Sequence, residues 1–362
     1  MRGESLADRL QRLRERMAAI ELDGLLVTQA DNLRYLTAFT GADGVALITR
    51  TEAFFVTNAQ FMRQAQQQVT PQHFAVIEGK TSLFETVQQL VQPKNLTNLG
   101  FEASDVSFNL YEELADLFDI GLIPVTGMIE ALREVKDNDE LQSMAQAAKL
   151  ADWGYQRLLQ LVHPGMTEFE VVNQLEYEMR QQGVTDFPLP MRLLSGTRSA
   201  LPQGTTTQRV IGGQELLTVD FGCRYQGYVA RLTRTFAIGL PEQQLQEVYG
   251  IVLEAQLDVI ANLKPGLTGT ALDQIARRVV TKSGYSPELG PLTGFGVGLT
   301  AQEGPLIQLG QQEQLVPGNI VTVAPGIYLP GLGGVRIADE LLITVTGCQN
   351  LTQAPKRQLI SL

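Results

Sequence analysis

Histidine is nearly absent from this sequence: His73 and His163 are the only two among 362 residues. Imidazole is the side chain whose ordinary pKa suits proton transfer near neutrality, so the list of general bases is almost empty at the outset. His73 precedes an apolar run and His163 stands before Pro164, and both read as surface residues. Cysteine is as scarce. Cys223 and Cys348 cannot build a disulfide framework, and two buried free thiols are the expectation. No apolar run is long enough to span a bilayer. The stretch MRGESLADRLQRLRERMAAI lacks the apolar core of a signal peptide, and Glu4, Asp8 and Glu15 do not suit a mitochondrial presequence. A soluble, cytoplasmic protein with no membrane partner is expected. Positive charge is in deficit: 28 Lys+Arg face 39 Asp+Glu, a net charge of -11. Such a surface repels phosphate backbones and argues against nucleic acid as a partner. There is no GxSxG elbow, and Ser195 and Ser199 in LLSGTRSA read as solvated loop hydroxyls. GFGVG at 294–298 lacks the strand-to-helix setting of a dinucleotide fingerprint.

What is present falls into two parts. A chain of this length with 44% hydrophobic residues supports two domains, each with a core. Leu6, Leu10, Leu13, Met17 and Ile20 recur at helical spacing, which predicts an amphipathic helix stopped near Gly24. Apolar runs at 25–28, 44–49, 53–58, 74–79, 98–102 and 121–125 read as strands, with helices near 59–69, 81–91 and 107–119. This alternation predicts an α/β domain. A boundary within 126–136 gives domains 1–130 and 131–362. Beyond it, longer helices and strands separated by Pro-Gly turns predict an α+β domain.

The second half carries a faint internal repeat. HPGMTEFEVVNQLEYEMRQQG from 163 is echoed by KPGLTGTALDQIARRVVTKSG from 264. Each has Pro-Gly, then Thr as an N-cap, then an amphipathic helix ending at Gly, and Thr167 with Glu170 fits a capping box. LLTVDFG (216–222) is echoed by IVTVAPG (320–326) at nearly the same offset, with Asp220 and Ala324 in register. A duplicated unit places these two positions about a shared centre, where a groove can hold a site.

These segments carry a resemblance. ALPQG (200–204), LLTVDFGCRYQGYVARLTRTFAIG (216–239), TGFGVGLTAQEGP (293–305), VTVAPGIY (321–328) and GGVRIADELLIT (333–344) resemble the creatinase, prolidase and aminopeptidase P family of pita-bread enzymes. RLQRLRERMAAIELDGLLVT and NLRYLTAFTGADG resemble that family's N-terminal domain. The resemblance implies a creatinase-type α/β domain, a pita-bread α+β domain with pseudo-twofold symmetry, and a homodimer. It also implies, in active members, two divalent ions (manganese, cobalt or zinc) held by two Asp, one His and two Glu. Such a pair activates water and polarises the scissile carbonyl.

Residue by residue, the resemblance puts the first ligand at Asp220. Arg231 stands at the second Asp position, in GYVARLTRTF, and Phe295 at the ligand His. Ala324 and Ala338 stand at the two Glu positions, and Gln203 and Gln302 at two accessory histidines. One carboxylate makes no chelate, Phe and Ala offer no lone pair, and Arg231 brings a fixed positive charge. The expectation is no cofactor and no metal ligands. Glu303 and Asp339 flank lost positions and could join Asp220 in a rearranged site, but strand alternation turns Asp339 away from the face of Ala338. An Asp220–Arg231 salt bridge is predicted, on a hairpin turning near Gln226 and Gly227. Cys223 points to the opposite face as a structural thiol. Tyr228, Arg234, Glu303 and Arg336 match pocket positions, where Tyr228, Arg336 and Phe295 suit a short, proline-containing peptide or its carboxylate.

Two readings stand open, and with them whether the protein is an enzyme. In one it is a catalytically degenerate, metal-free relative of Xaa-Pro dipeptidase and aminopeptidase P, serving as a peptide-binding or regulatory protein. In the other it is a proline dipeptidase with a rebuilt metal site or a metal-independent mechanism.

Overall fold

A computed structural model describes residues 6–362; Glu4 lies outside the described residues. The chain divides into two compact units, one up to Arg133 and one from Glu134 to Leu362.

The first unit runs α1 (Leu6–Ala19), β1 (Gly24–Val27), α2 (Ala30–Thr37), β2 (Val45–Thr49), β3 (Ala53–Thr57), α3 (Met62–Gln68), β4 (Ala75–Glu78), α4 (Leu83–Val91), β5 (Asn98–Glu102), α5 (Phe108–Leu117), β6 (Gly121–Val125) and the single turn α6 (Glu130–Arg133). Its six strands form one mixed sheet in the order β4-β3-β2-β1-β5-β6. β1 pairs antiparallel with β2 but parallel with β5. The apolar stripe of α1 buries Leu10, Leu13 and Met17, while Ile20 is exposed beyond the helix end. The sequence reading passes over α2. That helix is short, and its N-cap is Gln29, whose side chain accepts from the Asn32 N–H and is outside the usual Ser, Thr, Asp and Asn set.

The second unit contains α7 (Asn138–Leu161), α8 (Glu168–Gln181), β7 (Arg192–Ser195), β8 (Glu215–Tyr225), β9 (Tyr228–Ile238), α9 (Gln243–Asn262), α10 (Gly269–Lys282), β10 (Gly294–Gly296), β11 (Glu303–Ile307), β12 (Ile320–Val323), β13 (Gly326–Leu329), β14 (Gly333–Arg336), β15 (Asp339–Ile343) and β16 (Cys348–Asn350). Its sheets run β7-β8-β9, β11-β10-β12-β15-β16 and the pair β13-β14. Two cores follow the two repeats. One lies between α7, α8 and the face of β8–β9 carrying Val219, Phe221 and Cys223. The other lies between α9, α10 and strands bearing Val321, Val323 and Leu341.

The repeat is visible in the hydrogen bonds. At the two Pro-Gly turns, Gly165 donates to the Ile211 carbonyl at 3.0 Å and Gly266 to the Leu315 carbonyl at 2.8 Å. Both glycines have positive φ, 92° and 85°, a conformation glycine enters without a Cβ penalty. Thr167 caps α8 through the Glu170 N–H in a full capping box, and Thr268 caps α10 through the Ala271 N–H.

Residues 352–362 close this unit. Asp152 on α7 accepts from the backbone N–H groups of Gln353 and Ala354, at 2.6 and 2.8 Å. Buried Arg234 donates to the Ala354 carbonyl, and Tyr249 to that of Lys356. Ala237 donates to the Ile360 carbonyl and accepts from the Leu362 N–H.

Two expectations need correction. Ser195 and Ser199 are buried, not solvated. The Ser195 hydroxyl donates to Glu168 Oε1 at 2.8 Å, and Ser199 donates to the Gly196 carbonyl and accepts from the Gly334 N–H. Loop polarity misleads here because the loop lies under other chain segments, where hydroxyls serve as internal partners. Of the two free thiols Cys223 is buried, with Sγ 3.4 Å from the Ala147 carbonyl, but Cys348 is half-buried. His73 is half-buried and His163 exposed.

Candidate active site

The longest hairpin of the fold builds the floor of the site. β8 and β9 pair through eleven residues each, from Glu215↔Ile238 to Tyr225↔Tyr228. Gln226 and Gly227 make the turn with φ of 48° and 91°, the pair of positive values that matches strand twist in a two-residue hairpin. Asp220 lies opposite Thr233, and Arg231 lies two residues along β9 on the same face. That diagonal is within reach of a long side chain. Arg231 Nη2 donates to both Asp220 oxygens, at 3.1 and 3.2 Å, and the Thr233 hydroxyl donates to Oδ1 at 3.1 Å. Arg336 Nη1 adds a weaker contact to Oδ2 at 3.4 Å. The predicted salt bridge is therefore present, and Asp220 and Arg231 are both buried.

Electrostatics follow from this geometry. Burial alone would raise the Asp220 pKa, but the guanidiniums of Arg231, Arg336 and Arg192 outweigh it and hold the carboxyl below its ordinary value. Asp220 stays ionised and committed to its partners. Glu340 shows the opposite balance. Its Oε1 accepts from the Arg231 backbone N–H at 2.6 Å, but its Oε2 has no hydrogen-bond partner. Burial dominates and pushes its pKa up to about 8, against the pull of that N–H and of the Arg231 and Lys136 charges. The group is protonated at neutral pH.

Above this floor lies a cavity of about 240 Å³. Arg192, Arg231 and Arg336 supply its charge, and Leu189, Pro291 and Phe295 much of its apolar wall. The Phe295 ring centre sits 5.0 Å from Arg231 Cζ, a cation–π contact. Gln203, Gln302 and Ala324 also line the cavity, and Gln203 Oε1 accepts from Arg192 Nη1 at 2.5 Å. Ala338 is buried beside Thr233, to whose carbonyl its N–H donates at 3.0 Å.

Three expected pocket residues are elsewhere. The Tyr228 hydroxyl donates to Glu140 Oε1 at 2.9 Å, and its ring packs near Met144 outside the cavity. Arg234 is fully buried, bonded to Asp339 and to the carbonyls of Thr233, Ala338 and Ala354. Glu303 pairs with Lys136 at 2.8 Å, so that only its neighbour Gln302 faces the cavity. All three sit on strands within three residues of site positions, at odd spacings that strand alternation carries to other faces. Arg336 does line the cavity, at the end of β14, where its N–H donates to Thr235. The sequence reading missed Arg192 and Glu340. Arg192 is the cross-strand partner of Asp220, a register readable only from the sheet. Glu340 follows Asp339 in the quoted VRIADE run, and alternation would have sent it to the opposite face.

The comparisons with known proteins bear on this site. The profile described as metallopeptidase family M24 matches residues 142–345, and that of the creatinase/prolidase N-terminal domain matches residues 9–135. The chain belongs to metallopeptidase family M24. Among its relatives, an uncharacterized peptidase of Bacillus subtilis is 38% identical over 97% of this chain and 99% of its own length. A Xaa-Pro dipeptidase of Pyrococcus horikoshii is 31% identical over 98% and 99%. Among solved structures, a Xaa-Pro dipeptidase from Bacillus anthracis superposes with a TM-score of 0.96 at 37% identity, covering 99% of this chain and 100% of that one. The prolidase from Pyrococcus horikoshii gives 0.91 at 29% identity, covering 97% and 99%. The expected architecture, a creatinase-type N-terminal domain and a pita-bread α+β domain, is that of these M24 members.

Membership corrects one expectation. Absence of a cofactor does not stand, because the matched family is one of metallopeptidases and relatives along the whole chain are named Xaa-Pro dipeptidases. The donor set of this chain is nevertheless unlike a two-ion site. Asp220 is the one carboxylate at the five expected positions, and its oxygens are engaged by Arg231, Thr233 and Arg336. Phe295, Ala324 and Ala338 offer no donor atom. Asp339 is paired with Arg234 and Lys356, and Glu303 with Lys136, so neither joins Asp220. Among the described residues no three His, Cys, Asp or Glu side chains are grouped to hold an ion. The residues present therefore do not fit a dinuclear centre of this kind.

Proposed function

We propose that this M24 member takes short Xaa-Pro peptides in the cavity above Asp220 and holds them by their carboxylate. The observation that carries the reading is the set of three guanidiniums, Arg192, Arg231 and Arg336, around one carboxylate that neutralises only part of their charge. Guanidinium groups bind carboxylates through paired N–H bonds. Leu189, Pro291 and Phe295 provide an apolar surface suited to a prolyl ring.

Two chemistries share this ligand. Hydrolysis is supported by the full-length relatives named Xaa-Pro dipeptidases. Recognition by a catalytically degenerate site is supported by the Asp220–Arg231 pair and by the lack of a general base on the cavity wall. No histidine or carboxylate lines it, and protonated Glu340 lies beneath Arg231. Calorimetric titration with alanyl-proline, run beside proline-release assays with and without added manganese, separates them. Binding with manganese-dependent release establishes the peptidase, and binding without release establishes recognition alone. Absence of release together with absence of binding by alanyl-proline and by its N-acetyl form defeats the proposal.

The same reading includes a homodimer, a cytoplasmic address and a domain boundary near 130. Among the described residues no helix is long and apolar enough to cross a membrane. Light scattering of the purified protein tests the dimer.

A further inference from the structure

A free dipeptide carries two charges, and the cavity provides for only one of them. Three of its lining residues are cationic and none is acidic. The nearest carboxylate, Asp220, accepts from Arg231 and Thr233 on Oδ1 and from Arg231 and Arg336 on Oδ2. Its bonds from Arg231 all come from Nη2, so the Nε and Nη1 edges of that guanidinium are unused by Asp220. Those edges, with Arg336 and Arg192, make an anion site. The Gln203 carbonyl is taken by Arg192, which leaves the Gln302 side chain and the Tyr328 hydroxyl as neutral acceptors on the wall.

An α-ammonium placed here would lose water, find no counter-charge and sit among three guanidiniums. Unpaired charge in such a setting is costly, and like charges at close range add to the cost. An acyl group on the same nitrogen removes the charge and presents a carbonyl oxygen that guanidinium N–H groups can meet. The size agrees: about 240 Å³ is below the roughly 300–1,000 Å³ of sites for drug-sized molecules and suits a short ligand.

Building on the reading of this cavity as a peptide site, we infer that it selects N-acylated short peptides or N-acyl amino acids with a free C-terminal carboxylate over dipeptides with a free amino group. Calorimetric titration of the purified full-length protein with N-acetyl-alanyl-proline, alanyl-proline and N-acetyl-alanyl-prolinamide tests this. N-acetyl-alanyl-proline is expected to bind at least roughly tenfold more tightly than alanyl-proline, and the amide, with no carboxylate, more weakly than both. Equal or tighter binding of alanyl-proline overturns this inference while leaving the peptide reading intact. Absence of binding by all three overturns both. Arg336→Gln is expected to weaken N-acetyl-alanyl-proline by roughly tenfold and to narrow its advantage over alanyl-proline. Arg192→Gln, on a half-buried side chain that makes no hydrogen bond to Asp220 and donates instead to Gln203, gives the same readout if the first variant misfolds. An unchanged ratio in the folded variants overturns the assignment of the guanidiniums as the selective element.

Discussion

Arg231 Nη2 lies 3.1 Å from Asp220 Oδ1 and 3.2 Å from Oδ2, so one guanidinium nitrogen bridges the carboxylate on which the cavity rests. The two residues sit on adjacent strands, one diagonal step apart, and are buried together. A buried pair of this kind stabilises little relative to apolar packing, but removing one partner leaves the other uncompensated.

Asp220→Ala is therefore expected to destabilise the protein by about 3–5 kcal/mol, because Arg231 and Arg336 are left facing each other without a counter-charge. Asp220→Ala combined with Arg231→Met is expected to recover most of that loss. Urea unfolding of the two singles and the double measures the coupling, and additive losses would show that the pair is not an energetic unit.

Glu340 predicts a pH dependence. In the unfolded chain its carboxyl titrates near the ordinary value of about 4.3, whereas burial in the native state pushes it up to about 8. Between these values the native state binds more protons than the unfolded one, so Glu340 makes stability fall as pH rises through that window. Glu340→Gln keeps the shape without the titration. Its unfolding free energy is expected to decline less than the parent's between about pH 5 and about pH 9. Parallel slopes in urea titrations across that range would show that another group sets the dependence.

Restoring donors is the reciprocal experiment. The combined variant R231D/F295H/A324E/A338E places carboxylates and an imidazole at the positions matched to family ligands. It is expected to bind manganese at least roughly tenfold more tightly than the parent, since multidentate oxygen and nitrogen sets hold such ions. Metal retained after gel filtration, measured by atomic emission, reports the difference.

The two capped helices give a test of the repeat. Thr167→Ala and Thr268→Ala are each expected to cost about 1 kcal/mol. The first should cost more, because the Thr167 hydroxyl also donates to Glu170 Oε2 at 3.1 Å. Thermal melts of the single variants compare them.

Much of this was legible because local chemistry and tertiary structure agree. Six strand-like runs and a helical stripe at Leu10, Leu13 and Met17 gave the first sheet and its covering helix, since propensity and burial point the same way. The hairpin around Gln226 and Gly227 and its Asp220–Arg231 pair were readable from strand alternation and turn chemistry. Arg234 and Glu303 were misplaced because motif position does not say on which face of a strand a side chain emerges once bulges and isolated bridges intervene. β10 itself shifts register against β11 between Phe295 and Gly296, and that irregularity leaves Gln302, rather than Glu303, facing the cavity. Arg192 was invisible because its neighbour Asp220 is distant in sequence, and a cross-strand register carries no local signal.

The stitching of residues 352–362 into the second unit bears on how the protein is made. Asp152, Arg234, Ala237 and Tyr249 all wait for partners from this stretch, among them the backbone of Ala354, Lys356 and Ile360. On the ribosome, a nascent chain halted at Asn350 would hold the Asp152 carboxylate in its interior without the two backbone N–H groups that answer it. Native closure of this unit must then follow emergence of residue 360 from the exit tunnel.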